Sequence, residues 1–257
     1  MPRPYMSRQE DINARMRTIL IDWMIDLHNS IRKKGNLEEK YFKKAPICIS
    51  NETLHRSIAI LDKFLSKRGA SRTLLQLVGV CAFWIASKLE DDHPYPAGAL
   101  IYYTDGAYTK EKLIALESIM LRNLNYDLYT VTSYQFVCEF TEFSSERIQI
   151  ISKRLVELSL LVHDLLVFRP SLIALTCTMI AVRLDKSEDE LPCRVTQAQA
   201  LYAPDDVTRC ARIFIKALVD CKERKRRKAE VKDVTIDALF DELFTSEGSD
   251  HMLSLLV

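Results

Sequence analysis

The side chains of this 257-residue chain with the greatest capacity for chemistry are its five histidines and seven cysteines. The histidines (His28, His55, His93, His163 and His251) are isolated in sequence, and none shares a helix turn with a cysteine or a second histidine. The cysteines, at positions 48, 81, 138, 177, 193, 210 and 221, include no C-x-x-C pair. An odd, scattered set without finger spacing reads as reduced, intracellular thiols rather than as a metal centre. G-x-x-x-x-G-K-[ST], G-x-G-x-x-G, H-E-x-x-H and G-x-S-x-G are all absent. Phosphate cradling, zinc hydrolysis and serine-hydrolase chemistry thus lack their sequence signatures. The cluster Glu90-Asp91-Asp92, followed by Pro94, fits a solvated helix terminus better than an acid/base pair. No catalytic residue, no metal and no cofactor is expected.

Charged residues are more informative. Arg17 stands between Met16 and Ile19-Leu20, and Asp62 between Leu61 and Phe64, each in a broadly apolar stretch. A charge drawn towards a core needs a partner, because a lone buried ion is costly. Mutual pairing satisfies both, which makes them structural. Lys88 and Glu117 each fall late in a stretch that begins apolar, and pattern alone reads them as solvated. Lys222 to Lys228 holds six basic residues in seven. A helix end favoured by the macrodipole is one reading of that run, and a nuclear import signal or polyanion contact another.

The elements that must position these residues are helices. Hydrophobic residues make up 48% and charged residues 28%, with 36 Lys+Arg against 35 Asp+Glu, a globular balance. A net charge of +1 argues against a main role in holding a polyanion. No uninterrupted apolar run reaches the roughly 18 residues of a bilayer span, and Met1-Pro-Arg-Pro is no signal peptide. Only six Gly occur, where average usage of about 7% gives roughly 18. Such a chain has few tight turns and suits helices.

Apolar spacing of three and four from Ile12 through Leu27 predicts a first helix, with a second apolar face at Ile21 and Ile25. Ile31 to Ala45 reads as an exposed, Lys-rich loop. Ser50 or Asn51 caps a second helix, and Ser71 opens a third to Glu90 with Gly79, Ala82 and Ala86 as a small-residue strip. Short and longer helices follow over 97–103 and from Thr109 to about Leu124. The second half repeats the layout, with helices over 133–140, 146–166, 170–184 and 205–221. At an offset of 95 residues, Leu77, Val78, Ala82 and Ile85 match Leu172, Ile173, Cys177 and Ile180 in character. Two all-α repeats joined near 128–132 are expected.

Ordered motifs then carry a resemblance. Met16-Arg-Thr-Ile-Leu-Ile-Asp-Trp23, Asn51-Glu-Thr-Leu-His55, Leu61-Asp-Lys-Phe-Leu-Ser66, Ala86-Ser-Lys-Leu-Glu90, Leu124-Asn-Tyr-Asp-Leu128 and Arg169-Pro-Ser171 resemble the A/B-type (mitotic) cyclins. The resemblance covers about residues 4–221. It implies an all-α chain of two tandem five-helix cyclin folds. Its divisions are an N-terminal segment (1–12), an N-terminal cyclin box (13–130), a C-terminal cyclin fold (131–222), and the basic run and tail (223–257). It implies no enzymatic activity. The partner implied is a cyclin-dependent Ser/Thr kinase, bound as a heterodimer and activated by repositioning its C-helix and opening its activation loop. By matching position, Lys88 and Glu117 resemble the pair that grips the kinase, with Leu89, Leu121, Tyr126 and Leu128 as the apolar surround.

Met16, Ile19, Leu20 and Trp23, with Leu75 and Gln76, resemble the family's docking patch for Arg-x-Leu peptides of substrates and inhibitors. Asp26 stands where an acidic residue meets the peptide's Arg, and Arg17 with Asp62 resembles a family structural pair. Residues from about 33 to 47 insert a basic loop where relatives have a short link, and Leu89 and Tyr126 replace the usual Phe. R-x-x-L sequences at Arg17, Arg72 and Arg169 lie within or against expected helices and read as chance, and no destruction box of the kind relatives carry in a long N-terminal extension is expected among these residues, which leaves a degron in the full-length protein open. The resemblance places the protein in nucleus and cytoplasm, in cell-cycle control, with no membrane and no direct nucleic-acid contact. A paired-cyclin-fold transcription factor and a docking scaffold that does not activate a kinase are the alternative functions.

Overall fold

A computed structural model describes residues 5–33, 49–185 and 191–228, with side chains to Asp220. Beyond Lys33, the insertion of 33–47 lies outside the described residues, as do the side chains of the basic run. The chain divides into two units, Met1–Thr132 and Ser133–Val257. Among the described residues each unit holds five α-helices, and there is no strand.

In the first unit, α1 (Ala14–Lys33) starts where the Asn13 side chain accepts from the Met16 amide at 3.0 Å. It ends on Arg32 and Lys33, cations at the negative end of the helix dipole. The helix continues through Ile31, which is buried, so the loop expected from Ile31 begins later. Ile31 sits one turn after Leu27 and His28 and completes their inward stripe. Helix α2 (Asn51–Lys67) is capped by Ser50, whose hydroxyl accepts from the Thr53 amide. Arg72–Leu74 form a single 3-10 turn before α3 (Leu75–Glu90), so the third helix starts later than its apolar pattern suggests. The short α4 (Ala97–Tyr102) and α5 (Lys110–Asn123, capped by Thr109) complete this unit.

Helix α3 packs mainly against α2, and also against α1, α4 and α5. It is apolar on nearly every side because it has neighbours on nearly every side. The stretch Arg72–Glu90 is long and apolar enough by length and composition to cross a membrane, which counting uninterrupted apolar runs did not reveal. Its mostly buried setting inside the bundle accounts for that composition. Gly79 lets α1 come close. A β-carbon there would stand 2.9 Å from Leu20 Cδ1 and 3.2 Å from Met24 Sδ.

The second unit comprises α6 (Ser133–Phe140), α7 (Glu146–Ser159), α8 (Pro170–Asp185), α9 (Cys193–Gln199) and α10 (Pro204–Lys228). Helix α8 occupies the centre, with buried Leu172, Leu175, Cys177, Ile180 and Ala181. Inside it, Thr176 and Thr178 donate to the carbonyls of Leu172 and Ala174 four residues back, which satisfies hydroxyls that have no water. It stands 95 residues after α3 at both ends.

In this unit two boundaries and one whole element differ from the sequence pattern. Helix α7 stops at Ser159, and Val162 turns the chain in an extended conformation into a separate 3-10 turn, His163–Val167. That break buries His163 and Leu165. Helix α9 was not expected at all, since its inward side is only Val195 and Ala198. Helix α10 continues past Cys221 to Lys228.

Candidate functional site

The first unit carries three groupings of the residues singled out by sequence. The deepest is Arg17 with Asp62. Arg17 Nε donates to Asp62 Oδ1 at 2.7 Å and Arg17 Nη2 to Oδ2 at 2.6 Å, a two-pronged bond with both side chains almost fully buried. Tyr5 adds a third donor, its hydroxyl 2.7 Å from Asp62 Oδ1. Burial, with the Asp62 charge, pushes the Tyr5 phenol well above its ordinary range, so it remains a donor. This cluster ties the N-terminal segment and α1 to α2.

The second grouping lies where α3 ends beside α5. Lys88 Nζ donates to Glu117 Oε1 at 2.6 Å and stands 3.4 Å from the centre of the Trp84 ring. Trp84 is one turn before Lys88, which places ring and ammonium on the same face of α3. Pattern alone had these charges solvated, but they are paired with each other. Lys88 keeps about a third of its side chain exposed. An exposed pair of this kind contributes about 0–1 kcal/mol to stability.

Exposed apolar side chains accompany it: Leu89 (49%), Ile114 (44%) and Tyr126 (68%). Leu121 and Leu128 are half-buried. Asn125 and Tyr126 adopt φ of 55° and 56°, a left-handed turn that Asn tolerates and Tyr resists. The Tyr126 amide donates to the Leu121 carbonyl at 2.9 Å, closing α5 and turning the ring outward. Sequence reasoning missed Trp84 and Ile114. The signal that could have found them is a large apolar residue one turn before a charge on the same helical face, Trp84 before Lys88 and Ile114 before Glu117.

The third grouping is on α1 and the start of α3. Ile19 is 60% exposed, Met16, Trp23 and Gln76 are half-buried, and Asp26 is exposed. Met16, Ile19 and Trp23, at three- and four-residue steps, form one outward face. Leu20 and Leu75 do not join them. Both are buried, with Leu20 aimed at Gly79, because one helix turn cannot point every apolar residue outward. They floor the face rather than present it.

Among the described residues no three His, Cys, Asp or Glu side chains are grouped to hold a metal ion. Burial pushes the Cys81 and Cys177 thiols up, and Cys210 up to about 11, so none supplies a thiolate at neutral pH. Burial pushes His28 down to about 4 and His55 to about 3, which holds both neutral.

Residues 44–129 match the family model for the cyclin N-terminal domain, and residues 131–235 that for the cyclin C-terminal domain. Cyclin-B2-1 of Arabidopsis thaliana is 31% identical over 223 residues, 84% of this chain and 47% of that protein. The G2/mitotic-specific cyclin-A of Drosophila melanogaster is 33% identical over 184 residues, covering 70% of this chain and 34% of that protein. The chain spans about half the length, or less, of the curated relatives it matches. In fold it is similar to a viral cyclin from herpesvirus saimiri, with a TM-score of 0.67 at 19% identity over 82% of this chain and 88% of that one. A chain of the yeast RNA Pol II CTD kinase CTDK-1 complex aligns with a TM-score of 0.58 at 11% identity, over 99% of this chain and 89% of that one. With both of its helical units matched in order by the two domains of one family, the chain belongs to the cyclins.

Proposed function

We propose that this chain is a regulatory subunit that binds and activates a cyclin-dependent Ser/Thr kinase and docks its substrates, in cell-cycle control. The observation that carries the reading is the Lys88–Glu117 pair, held over Trp84 and accompanied by the exposed Leu89 and Tyr126. An exposed ion pair adds little to folding, whereas the same pair, already ordered, presents a donor and an acceptor to a partner's backbone. The flanking apolar side chains supply area to bury. The chain performs no chemistry in this reading. It contributes binding energy to one state of a two-state kinase, and shifts that equilibrium by its difference in affinity for the two.

The test is reconstitution with a panel of cyclin-dependent kinases and a histone-like substrate. The exchange Lys88→Glu with Glu117→Lys preserves the mutual pair and inverts its polarity, so the fold should persist while activation falls at least about tenfold, the cost of a central interface contact. Activation untouched by the exchange overturns the assignment. For the docking face, Met16→Ala with Trp23→Ala should raise KM for Arg-x-Leu substrates several-fold and leave kinase binding intact. Equal loss of both would mean that this face is core. Leu20 and Leu75 are unsuitable probes because both are buried.

A further inference from the structure

Beneath the left-handed turn at Asn125 and Tyr126 runs a polar clasp whose central residue, Arg56, and whose outer contacts, Tyr129, Thr130 and Thr132, lie outside the family motifs above. Residues 127–132 have no regular secondary structure, yet α2 holds four of them, Asp127, Tyr129, Thr130 and Thr132. Lys63 Nζ donates to the Asp127 carbonyl at 2.8 Å and to Asp127 Oδ2 at 2.7 Å. Arg56 Nη1 donates to the Thr130 carbonyl. The Thr132 hydroxyl stands 2.9 Å from both Glu52 carboxylate oxygens. The Arg56 guanidinium also lies 4.6 Å from the centre of the Tyr129 ring.

Arg56 is the hub. Its side chain is 1% exposed, and it pairs with Glu90 at 2.7 Å and Glu52 at 3.3 Å. A buried ion is a poor way to add stability compared with an apolar residue of the same volume. What this one does is fix a segment. The clasp pulls Asp127, Thr130 and Thr132 inward and leaves Tyr126 (68%), Tyr129 (75%) and Val131 (45%) exposed. An aromatic ring seated on a fixed guanidinium has lost its rotamer freedom before any partner arrives, which is how an interface anchor is preorganised.

We propose that Tyr129, positioned by Arg56, is a partner-contacting anchor that extends the kinase-facing surface along residues 126–131 and helps set which kinase is accepted. This rests on the function proposed above. The occupant is the kinase because the clasp is continuous with that face: Glu90, which holds Arg56, directly follows Lys88-Leu89, and Tyr126 opens the same segment. The surface to be met is apolar and shallow enough to take the open face of a tyrosine ring.

The test measures affinity of the full chain for a panel of cyclin-dependent kinases, alongside denaturant unfolding of each variant. Tyr129→Ala should weaken the preferred kinase at least about tenfold, change its preference over the other kinases, and leave the unfolding midpoint nearly unchanged. Tyr129→Phe keeps the ring and should bind within about twofold of wild type. Arg56→Met should weaken binding and speed amide exchange at residues 127–132, and Tyr129→Ala added to it should cost less than in the wild-type chain. If Arg56→Met does not fold, the two Tyr129 variants decide alone. Tyr129→Ala binding within twofold of wild type, in a chain whose Lys88/Glu117 exchange abolishes binding, overturns this proposal and spares the one above. A wild-type chain that binds no kinase overturns both.

Discussion

Gly79 shows how one missing side chain sets the spacing of two helices. Alanine is favoured over glycine in a helix interior by about 1 kcal/mol. Here, however, the added β-carbon meets Leu20 at 2.9 Å and Met24 at 3.2 Å, and both are buried. Overpacking of that kind costs about 1–3 kcal/mol, so Gly79→Ala should destabilise by about 1 kcal/mol in chemical denaturation. In a Leu20→Ala background the clash is gone, and the same substitution should become neutral or stabilising. Gly79 was legible from its strip with Ala82 and Ala86, and Arg17 with Asp62 from charges set among apolar neighbours. Arg56 meets the same criterion only loosely, two residues from Leu54 on one side and from Ile58 on the other. Its partners Glu90 and Thr130 lie 34 and 74 residues away, so no local spacing announces the cluster. The Tyr129 anchor was missed for the same reason.

At the scale of elements, the corner between α2 and α3 depends on shared acceptors. Ser50 caps α2, while Asp91, just past the end of α3, accepts from the Ser50 amide at 3.0 Å and the Thr53 hydroxyl at 2.8 Å. The end of one helix therefore secures the start of another. Ser50→Ala should cost about 1 kcal/mol, and Asp91→Ala a similar amount through the Ser50 amide and the Thr53 hydroxyl it leaves unpaired. Because the two act on one helix terminus, the double variant should lose less than the sum, a deviation that denaturant titration resolves. Caps were legible to within a residue: of the pair Ser50 and Asn51 it is Ser50 that accepts from the Thr53 amide, and Thr109 accepts from the Lys112 amide at the start of α5. Apolar content was a poorer guide to ends. Leu160, Leu161 and Leu165 prolong the pattern of α7, yet the helix stops at Ser159 because burying Leu165 needs a change of direction. Seven-residue α9 has too short an inward face for periodicity to register.

For the molecule as a whole, buried titratable groups shape stability against pH. Burial lowers His28 to about 4 and His55 to about 3 from 6.5. Against burial, the bond that His28 Nε2 donates to the Ser50 carbonyl at 2.9 Å favours the protonated ring, as does Asp91, whereas Arg32 disfavours it. The unfolded chain binds these protons near pH 6.5 and the folded one does not, so stability is full above 6.5 and falls on acidification. Each histidine contributes up to about 1.4 kcal/mol per pH unit. Glu52, raised by burial to about 7 from 4.5, acts in the opposite sense over that interval and offsets part of the loss. The unfolding midpoint should therefore drop between pH 6.5 and 5, and His28→Asn with His55→Leu should flatten the profile. A wild-type midpoint independent of pH would contradict the burial of both rings. The clasp of Tyr5 on Asp62, across 57 residues of sequence, bears on synthesis as well. Tyr5 and Arg17 leave the ribosome well before Asp62 does, so α1 emerges with its inner guanidinium lacking a counter-charge. The nascent first unit must wait, open to chaperones, until α2 is out of the tunnel.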